Sequence, residues 1–311
     1  MSSTDSSWLG IDLGGTGTRV ALIVTGNADS AGNTDGVDDA AGMPERAGVT
    51  VPTSSLGSSP LDGLAAAVAD TLAHAGVEMS QVSGLGIGAS GPVDLHTGLV
   101  VNPDTLPTFT GWDVAGGLSA RLGIPSWIDN DAVAAGLAEV RWGGGRGAVT
   151  VLCVTLGTGV GVVLVQDGRP VRASDGQHPE GGHIPVPGEG SPCYCGLRQC
   201  WEQVASRTAL DRLVAGGASL DDPELWRRYA RGVADGLTAL VTLYRPEAVV
   251  VGGSVARYWE RLEAPLRECL ATSREVWPDL RLSASSLGER GGAWGGALLA
   301  ARRIGWSPTA P

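Results

Sequence analysis

The sequence predicts a duplicated α/β fold of two domains with a central cleft. Residues 8–24 and 149–165 each have the pattern of a strand, a glycine-rich turn and a second strand. Within them, Asp12-Leu-Gly-Gly-Thr-Gly17 and Thr155-Leu-Gly-Thr-Gly159 start 143 residues apart (155 minus 12). Two similar units at this separation indicate a duplication, and the alternation of strands and helices elsewhere is typical of α/β sheets.

The remaining elements of the first half follow from hydrophobic periodicity. Leu61, Leu64, Val68 and Leu72 recur at helical spacing after Pro60, which suits a helix start. Short apolar runs bounded by turn residues predict strands at 85–90 and 124–128, and an alanine-rich helix at 132–142 is ended by Gly143-Gly144-Gly145. By contrast, residues 26–48 are acidic and poor in large apolar side chains, so we expect a long hairpin tip or a mobile insertion there.

The second half continues the alternation. Residues 203–245 are predicted to be mostly helical, 249–251 to form a buried strand, and 292–303 to form a closing helix.

Composition restricts how this chain could bind phosphate. All 22 basic residues among the 311 are arginine. A Schiff-base lysine, a P-loop lysine and the strand lysine of protein kinases are therefore excluded. Any phosphate would be bound by backbone amides, a metal ion or arginine. Glycine, at 48 residues, is roughly twice its ordinary ~7% share and lies in clusters between apolar runs.

Charge and cysteine content restrict partners and compartment. A net charge of −11 argues against a nucleic-acid partner and against an acidic membrane surface. No apolar run approaches ~20 residues, and residues 1–7 lack the features of a secretory signal. The 5 cysteines are odd in number and three fall within eight residues, which predicts a metal site in a reducing cytoplasm rather than a disulfide scaffold.

The glycine turns are candidate phosphate sites. A strand that enters such a turn presents several backbone N–H groups in one concavity, which binds anions without a cationic side chain. Asp12 precedes the first turn, and Mg²⁺ would join its carboxylate to the phosphates. Gly252-Gly253, after the strand at 249–251, is a third turn of this kind. The alternative is that the turns are only tight hairpins.

Four residues are candidate zinc ligands. His183, Cys193, Cys195 and Cys200 supply one imidazole and three thiolates, a set that suits tetrahedral Zn²⁺ with no open coordination position. His178 competes with His183 as the imidazole ligand, and the alternative is three buried thiols without a metal.

Carboxylates provide the candidate base. Asp129-Asn130-Asp131 lies at a predicted strand end, where α/β proteins place their sites. One aspartate could act as a general base toward a hydroxyl, while the alternative role is a helix N-cap; both can hold for Asp131. Glu180 and Glu202 flank the cysteine cluster and could bind a polyhydroxyl ligand.

Together these motifs resemble the ROK family, which groups repressors, open reading frames and sugar kinases. The resemblance covers about residues 8–303, and the His…Cys-x-Cys…Cys-x-Glu arrangement is its most specific part. The matching segments are Asp12-Leu-Gly-Gly-Thr16, Ala89-Ser-Gly-Pro-Val-Asp94, Asn130-Asp131-Ala132, Thr155-Leu-Gly-Thr-Gly-Val-Gly161, Glu180-Gly-Gly-His183 and Cys193-Tyr-Cys-Gly-Leu-Arg-Gln-Cys-Trp-Glu202.

The resemblance implies an actin-like hexokinase fold, related to ribonuclease H, and ATP-dependent phosphorylation of a hexose hydroxyl, usually the 6-hydroxyl. It places a small domain at 1–131 plus 293–311 and a large domain at 132–292 that carries a zinc-binding loop over 183–200. By position, Asp131 matches the catalytic base, and His183 would serve both the sugar and a structural Zn²⁺. The implied sugar-site residues are Asn130, Asp131, Glu180, His183 and Glu202, and further candidates are Gly91 and Asn102, the latter in the loop 102–112 where selectivity is expected. The implied ATP and Mg²⁺ residues are Asp12, Gly14, Gly15, Thr16, Gly157, Thr158, Gly159, Gly252 and Gly253.

Three positions depart from the family pattern. Gly17 stands where many members have lysine, and Asp129 occupies a position where the family often has glutamate. Gln199 replaces the glycine that usually precedes the third cysteine of the cluster, Cys200, which alters that turn.

Glucose is the first expectation for the acceptor, with N-acetylglucosamine, N-acetylmannosamine, mannose, fructose and allose as alternatives, and polyphosphate as an alternative donor. The resemblance suggests a homodimer or homotetramer. Family repressors carry a DNA-binding domain before the first glycine turn, and only 11 residues precede Asp12, so a kinase is expected rather than a repressor or a structural zinc protein.

Overall fold

A computed structural model describes residues 6–25, 44–187, 192–271 and 279–304. The chain divides into two compact units, Met1–Ala138 with Arg290–Pro311, and Glu139–Glu289.

The first unit is built on a five-stranded sheet in the order β3-β2-β1-β4-β5. Strand β1 pairs antiparallel with β2 and parallel with β4, β2 pairs antiparallel with β3, and β4 pairs parallel with β5. The strands are β1 (Ser6–Leu13), β2 (Gly17–Thr25), β3 (Glu45–Pro52), β4 (Val82–Ala89) and β5 (Ser126–Asn130), and the helices are α1 (Pro60–Ala75), α2 (Val114–Leu122), the start of α3 (Asp131–Trp142) and α8 (Gly291–Arg303).

The second unit repeats this topology with a sheet in the order β8-β7-β6-β9-β10. Strand β6 pairs antiparallel with β7 and parallel with β9, as β1 does with β2 and β4. Of the outer pairs, β7 and β8 are antiparallel, and β9 and β10 are parallel. The strands are β6 (Thr150–Leu156), β7 (Val160–Gln166), β8 (Arg169–Pro170), β9 (Ala248–Gly252) and β10 (Arg281–Ala284), and the helices are α4 (Glu202–Ala205), α5 (Arg207–Ala215), α6 (Pro223–Tyr244) and α7 (Trp259–Leu270). The predicted duplicated α/β architecture is confirmed.

Each sheet builds a separate apolar core. In the first unit, buried side chains of β1, β4 and α1 meet those of α2, among them Leu9, Leu64 and Leu85. In the second unit, β6, β7 and β9 are covered by the long helix α6, whose buried stripe includes Trp226, Tyr229 and Leu237. Strands such as β4 and β6 are buried on nearly every residue, which explains why they appear in the sequence as short continuous apolar runs.

The helix boundaries follow the local signals. Helix α1 starts at Pro60 and ends at Gly76, whose φ of 64° is the left-handed conformation that favours glycine at a helix end. Helix α3 occupies Asp131–Trp142, as the sequence predicts for 132–142. Among the described helices, none combines the length and apolar character needed to cross a membrane.

The structure corrects one boundary and adds elements that local patterns did not predict. Residues 45–48, predicted as part of an insertion, begin β3, whose side chains alternate between half-buried and exposed. The rest of that prediction, 26–43, lies outside the described residues. Helices α2 and α7 were not predicted, since α2 contains Gly116 and Gly117 and α7 contains Pro265, which are weak helix formers.

Candidate active site

The candidate catalytic residues lie where three parallel strands of the first sheet end. Strands β1, β4 and β5 run parallel and in register, with Asp12 opposite Gly88 and Gly88 opposite Asp129. Their carboxyl ends therefore share one edge of the sheet, the place where α/β folds bind ligands. This edge carries Asp12, Ser90 and Asp131.

Asp131 is fixed at the first residue of α3 by both carboxylate oxygens. Its Oδ1 accepts a hydrogen bond from the Ala132 N–H at 2.8 Å, and Asn130 Oδ1 accepts from the same N–H at 2.8 Å. Its Oδ2 accepts a hydrogen bond from the Ser90 hydroxyl at 3.0 Å. Because α3 begins at Asp131, the capping position belongs to Asn130, and the hydrogen bonds of Asp131 hold its carboxylate in place at the first residue of the helix.

Asp12 is a carboxyl group in an unfavourable place for a negative charge. Burial, followed by the charge of Asp131, raises its pKa to about 7, while Arg19 on β2 acts in the opposite direction. Its carboxylate lies against Gly292 in the first turn of α8, where a Cβ atom would approach Oδ2 to 2.3 Å. Two carboxyl groups whose charges repel each other at a sheet edge are a donor set that suits a divalent cation such as Mg²⁺.

The first glycine turn joins β1 to β2, and residues from other segments contact it. The Gly14 N–H bonds the Gly17 carbonyl at 3.1 Å, and the Thr53 hydroxyl bonds the Gly14 carbonyl at 2.6 Å. Gly15 must be glycine because a Cβ there would lie 1.9 Å from the Thr105 carbonyl oxygen. Thr16 is exposed, and the space around Gly17 is open within 4 Å.

Asn102 connects the loop after β4 to this sheet edge. Its buried amide Nδ2 donates to the carbonyls of Ser90 and Gly91 at 3.1 and 2.6 Å. It also donates to the Thr105 hydroxyl at 2.6 Å, while its Oδ1 accepts from the Thr105 N–H at 3.0 Å. The side chain therefore positions Ser90 and Thr105, the neighbours of Asp131 and Gly15.

The second glycine turn occupies the equivalent place in the second sheet, between β6 and β7. The Gly157 N–H bonds the Gly159 carbonyl at 3.0 Å, and Thr158 is exposed. A Cβ at Gly159 would lie 2.3 Å from Glu202 Oε2, and this oxygen accepts a hydrogen bond from the Val160 N–H at 3.2 Å. The third turn, Gly252 and Gly253, follows β9, where Gly253 packs on Leu156 at the end of β6.

The four predicted metal ligands lie together. One donor atom from each of His183, Cys193, Cys195 and Cys200 falls within 4.8 Å of the others. The Cys193 Sγ is 3.5 Å from His183 Nδ1, and the Cys195 and Cys200 sulfurs are 3.5 Å apart. Three thiols and one imidazole in this arrangement fit Zn²⁺. His178 is buried and is not one of the four.

The departure at Gln199 preserves the turn that glycine would favour. Gln199 has a φ of 61°, in the left-handed region, and its carbonyl accepts a hydrogen bond from the Val186 N–H at 2.9 Å. Glutamine therefore bears a conformational cost of ~1 kcal/mol at this position, and the four ligands still converge.

The acidic residues next to this cluster differ in environment. Glu202 is buried, and burial raises its pKa, while Glu180 is exposed. Glu202 Oε1 lies 3.9 Å from the Cys193 sulfur, so this carboxylate contacts both the metal cluster and the second glycine turn. His183 and Glu202 thus belong to one cluster in the second unit, whereas Asn130 and Asp131 belong to the first.

Sequence reasoning missed two residues at these sites. Ser90, which bonds Asp131, stands at the end of a buried strand, and this position is the signal that could have identified it. Tyr194, between two metal ligands, places its hydroxyl 3.3 Å from His183 Nε2. No local pattern predicts that contact, because it depends on the path of the chain between 183 and 194.

Comparison with known proteins agrees with this arrangement. The model of the ROK family matches residues 8–303. A glucokinase from Streptomyces coelicolor is 30% identical over 332 aligned positions, which cover 94% of this chain and 96% of the relative. The chain belongs to the ROK family, as the motifs indicated.

Two solved structures agree with the fold. A ROK hexokinase from Thermus thermophilus is 30% identical with a TM-score of 0.73, and the match covers 96% of this chain and 99% of that one. A ROK glucokinase from Streptomyces griseus, solved in complex with glucose and AMPPNP, is 28% identical with a TM-score of 0.75, covering 96% and 100%. The predicted actin-like fold is confirmed.

Proposed function

We propose that this chain is an ATP-dependent hexokinase that transfers the γ-phosphoryl group to the 6-hydroxyl of glucose. Its class, a phosphotransferase that acts on a sugar hydroxyl, rests on the similarity to glucokinases over most of the chain and to a ROK glucokinase structure. The observation that carries the proposed chemistry is the Asp131 carboxylate, held by Ser90 at 3.0 Å at the edge of the first sheet.

In the proposed reaction, Asp131 accepts the proton of the sugar hydroxyl. The hydroxyl oxygen forms a bond to the γ-phosphorus as the bond from that phosphorus to the bridging oxygen of ADP breaks. Ser90 and the Ala132 N–H keep the carboxylate oriented before the sugar arrives. Positioning of this kind supplies much of the rate enhancement in phosphoryl transfer.

Nucleotide binding is assigned to backbone rather than to lysine, which the chain lacks. The proposed phosphate-binding segments are the glycine turns Gly14–Thr16 and Gly157–Gly159, and the proposed adenosine-binding residues are Gly252 and Gly253. Asp12 would hold Mg²⁺, which neutralises phosphate charge when bound. The cluster of His183, Cys193, Cys195 and Cys200 would hold a structural Zn²⁺, and its reduced thiols fit a reducing compartment.

For the acceptor, we propose roles in sugar binding for Asn130, Asp131, Glu180, His183 and Glu202. Glucose is favoured because the relative from Streptomyces coelicolor is a glucokinase and the Streptomyces griseus structure is in complex with glucose.

A coupled ADP-release assay tests this function. The panel contains glucose, mannose, fructose, allose, N-acetylglucosamine and N-acetylmannosamine, each with ATP and Mg²⁺, and a parallel series uses polyphosphate. We expect sugar-dependent ADP release with the highest kcat/KM for glucose. A higher kcat/KM for an N-acetylhexosamine would reject glucose as the acceptor, and sugar binding without ADP release would indicate a sensor.

A further inference from the structure

Tyr194, in the second unit, has an exposed phenol that contacts His183, a residue proposed to bind the sugar. Tyr194 is 63% exposed, and it lies in the chain between two candidate metal ligands, Cys193 and Cys195. Its ring meets the His183 ring edge-to-face, with centroids 5.3 Å apart and an interplanar angle of 86°. An exposed aromatic ring that is fixed by such a contact is suited to meet a ligand.

The hydroxyl of Tyr194 lies within hydrogen-bond distance of Nε2, the ring nitrogen of His183 that does not face the metal ligands. His183 Nδ1 lies 3.5 Å from the Cys193 sulfur, inside the group of metal ligands. His183 Nε2 lies 3.3 Å from the Tyr194 oxygen. A sugar hydroxyl that approaches Nε2 therefore also comes within reach of the phenol, which has both a donor and an acceptor to offer.

We propose that Tyr194 is a sugar-binding residue that, together with His183, binds one hydroxyl of the acceptor. This inference rests on the proposed function, since it requires His183 to contact the sugar. The Nε2–H of His183 is shared between the phenol oxygen and the sugar oxygen, and the phenol O–H donates to the same sugar oxygen. The pair therefore selects acceptors with a free hydroxyl at that carbon. Neighbouring Leu197 is also exposed, at 55%, and has no part in this contact.

The test combines Tyr194→Phe with single-hydroxyl analogues of glucose. The variant keeps the ring and removes only the hydroxyl, so we expect the KM for glucose to rise about fivefold, the size of one neutral hydrogen bond. We expect kcat to stay within twofold, and the KM for ATP and the zinc content to stay unchanged. Leu197→Ala, in the same loop, is the matched control and should behave as the wild type.

The analogues separate direct contact from a change in loop structure. The wild type and Tyr194→Phe are each assayed with 1,5-anhydroglucitol and with 2-deoxy-, 3-deoxy- and 4-deoxyglucose, and glucose binding is measured by calorimetry. We expect the fivefold effect to persist for all analogues except one, for which it falls below twofold, because that analogue lacks the hydroxyl bound by Tyr194.

Two results overturn the inference while leaving the kinase intact. One is an unchanged KM for glucose in Tyr194→Phe, and the other is an equal loss with every analogue. A wild-type protein that neither binds nor phosphorylates glucose or any other sugar in the panel would instead overturn the proposed function, and this inference with it.

Discussion

At the residue scale, Asp131 combines a structural and a chemical role through its two oxygens. Oδ1 accepts the Ala132 N–H in the first turn of α3, and Oδ2 accepts the Ser90 hydroxyl. Asparagine keeps an oxygen for the Ala132 N–H, while its amide nitrogen cannot accept a proton. We therefore expect Asp131→Asn to fold and to bind sugar, with kcat reduced about 1,000-fold, the usual scale of general-base catalysis.

The measurement pairs steady-state kinetics with calorimetric sugar binding. Asp94→Asn is the matched control, because Asp94 caps an exposed turn through the His96 N–H at 2.8 Å. Turnover of Asp131→Asn within threefold of the wild type would remove Asp131 from the role of base.

Asp12 predicts a pH dependence of stability. Its pKa is about 7 in the folded chain against an ordinary 3.8. The folded state therefore binds more protons at Asp12 than the unfolded state between these values, so the contribution of Asp12 to stability is fully present below pH 4 and is lost as the pH rises through 7. At pH 8, without metal or nucleotide, Asp12→Asn should be more stable than the wild type by up to about 4 kcal/mol, since one pKa unit corresponds to ~1.4 kcal/mol.

Urea unfolding at pH 8 and pH 4, with chelator present, measures this effect. The gain in stability should shrink at pH 4, because the wild-type carboxyl group is then largely protonated in both states. An equal difference at both pH values would mean that the charge of Asp12 is not the cause.

At the element scale, helix α6 packs closely against Trp201 because α6 has a glycine, Gly236, at the contact. Trp201 is fully buried, and its indole N–H donates to the Gly232 carbonyl at 2.9 Å. A Cβ at Gly236 would lie 2.2 Å from the Trp201 ring. We expect Gly236→Ala to destabilise the chain by about 2 kcal/mol, since overpacking typically costs 1–3 kcal/mol and outweighs the helix propensity gained.

Gly232→Ala on the same helix is the matched control for this effect. A Cβ there would meet Val204 at 3.0 Å or more, a contact that a small shift relieves. Chemical denaturation should give a clearly lower free energy of unfolding for Gly236→Ala than for Gly232→Ala. Equal stabilities would show that Trp201 does not require the glycine.

The Asn102 amide adds side-chain hydrogen bonds to a loop after β4 that backbone bonds also hold, such as the bond from the Val101 N–H to the Pro92 carbonyl at 2.9 Å. Asn102→Ala removes the donor that bonds the Ser90 and Gly91 carbonyls, so we expect a loss of 1–3 kcal/mol in stability. Because Ser90 then loses its fixed position next to Asp131, kcat should also fall. Kinetics and denaturation of this variant, compared with exposed Asp104→Ala as control, measure both effects; unchanged kcat would mean that Ser90 is held by other contacts.

At the scale of the whole molecule, the metal cluster adds a cross-link between two segments of the second unit that also pair through the antiparallel bridge between Pro185 and Cys200. His183 and Cys200 lie 17 positions apart (200 minus 183) and contribute to one group of ligands. Metal binding to such a group contributes folding free energy directly. We expect about one zinc per chain, and a melting temperature lowered by roughly 5–10 °C after chelation, because each kcal/mol is worth about 2–4 °C in a domain of this size.

Metal analysis and thermal unfolding with chelator provide the measurement. Zinc, and not magnesium, should restore the melting temperature. Cys195→Ser should lose the response to chelator, whereas Cys269→Ser, outside the cluster, should retain it. Folded protein prepared without chelator that contains no zinc would reject the site.

Sequence patterns predicted the elements whose signals are local and strong. The two strand-turn-strand units, α1 after Pro60 and the closing helix α8 were all found, because apolar spacing and turn residues are sufficient to define them. Elements with weak local signals were missed: α7 contains a proline, and β10 has only four residues. Motifs suggested the candidate site residues, while they did not suggest Ser90 and Tyr194, which contact Asp131 and His183.

The sequence by itself determined the types of chemistry available to this protein: glycine turns without lysine, a cysteine–histidine set and an aspartate after a strand. Only the tertiary structure decided which of these residues meet. Ser90 and Asp131 are 41 positions apart, and they touch because β4 and β5 pair in parallel and end at the same edge. Such contacts depend on strand order, and local periodicity carries no information about which strands become neighbours.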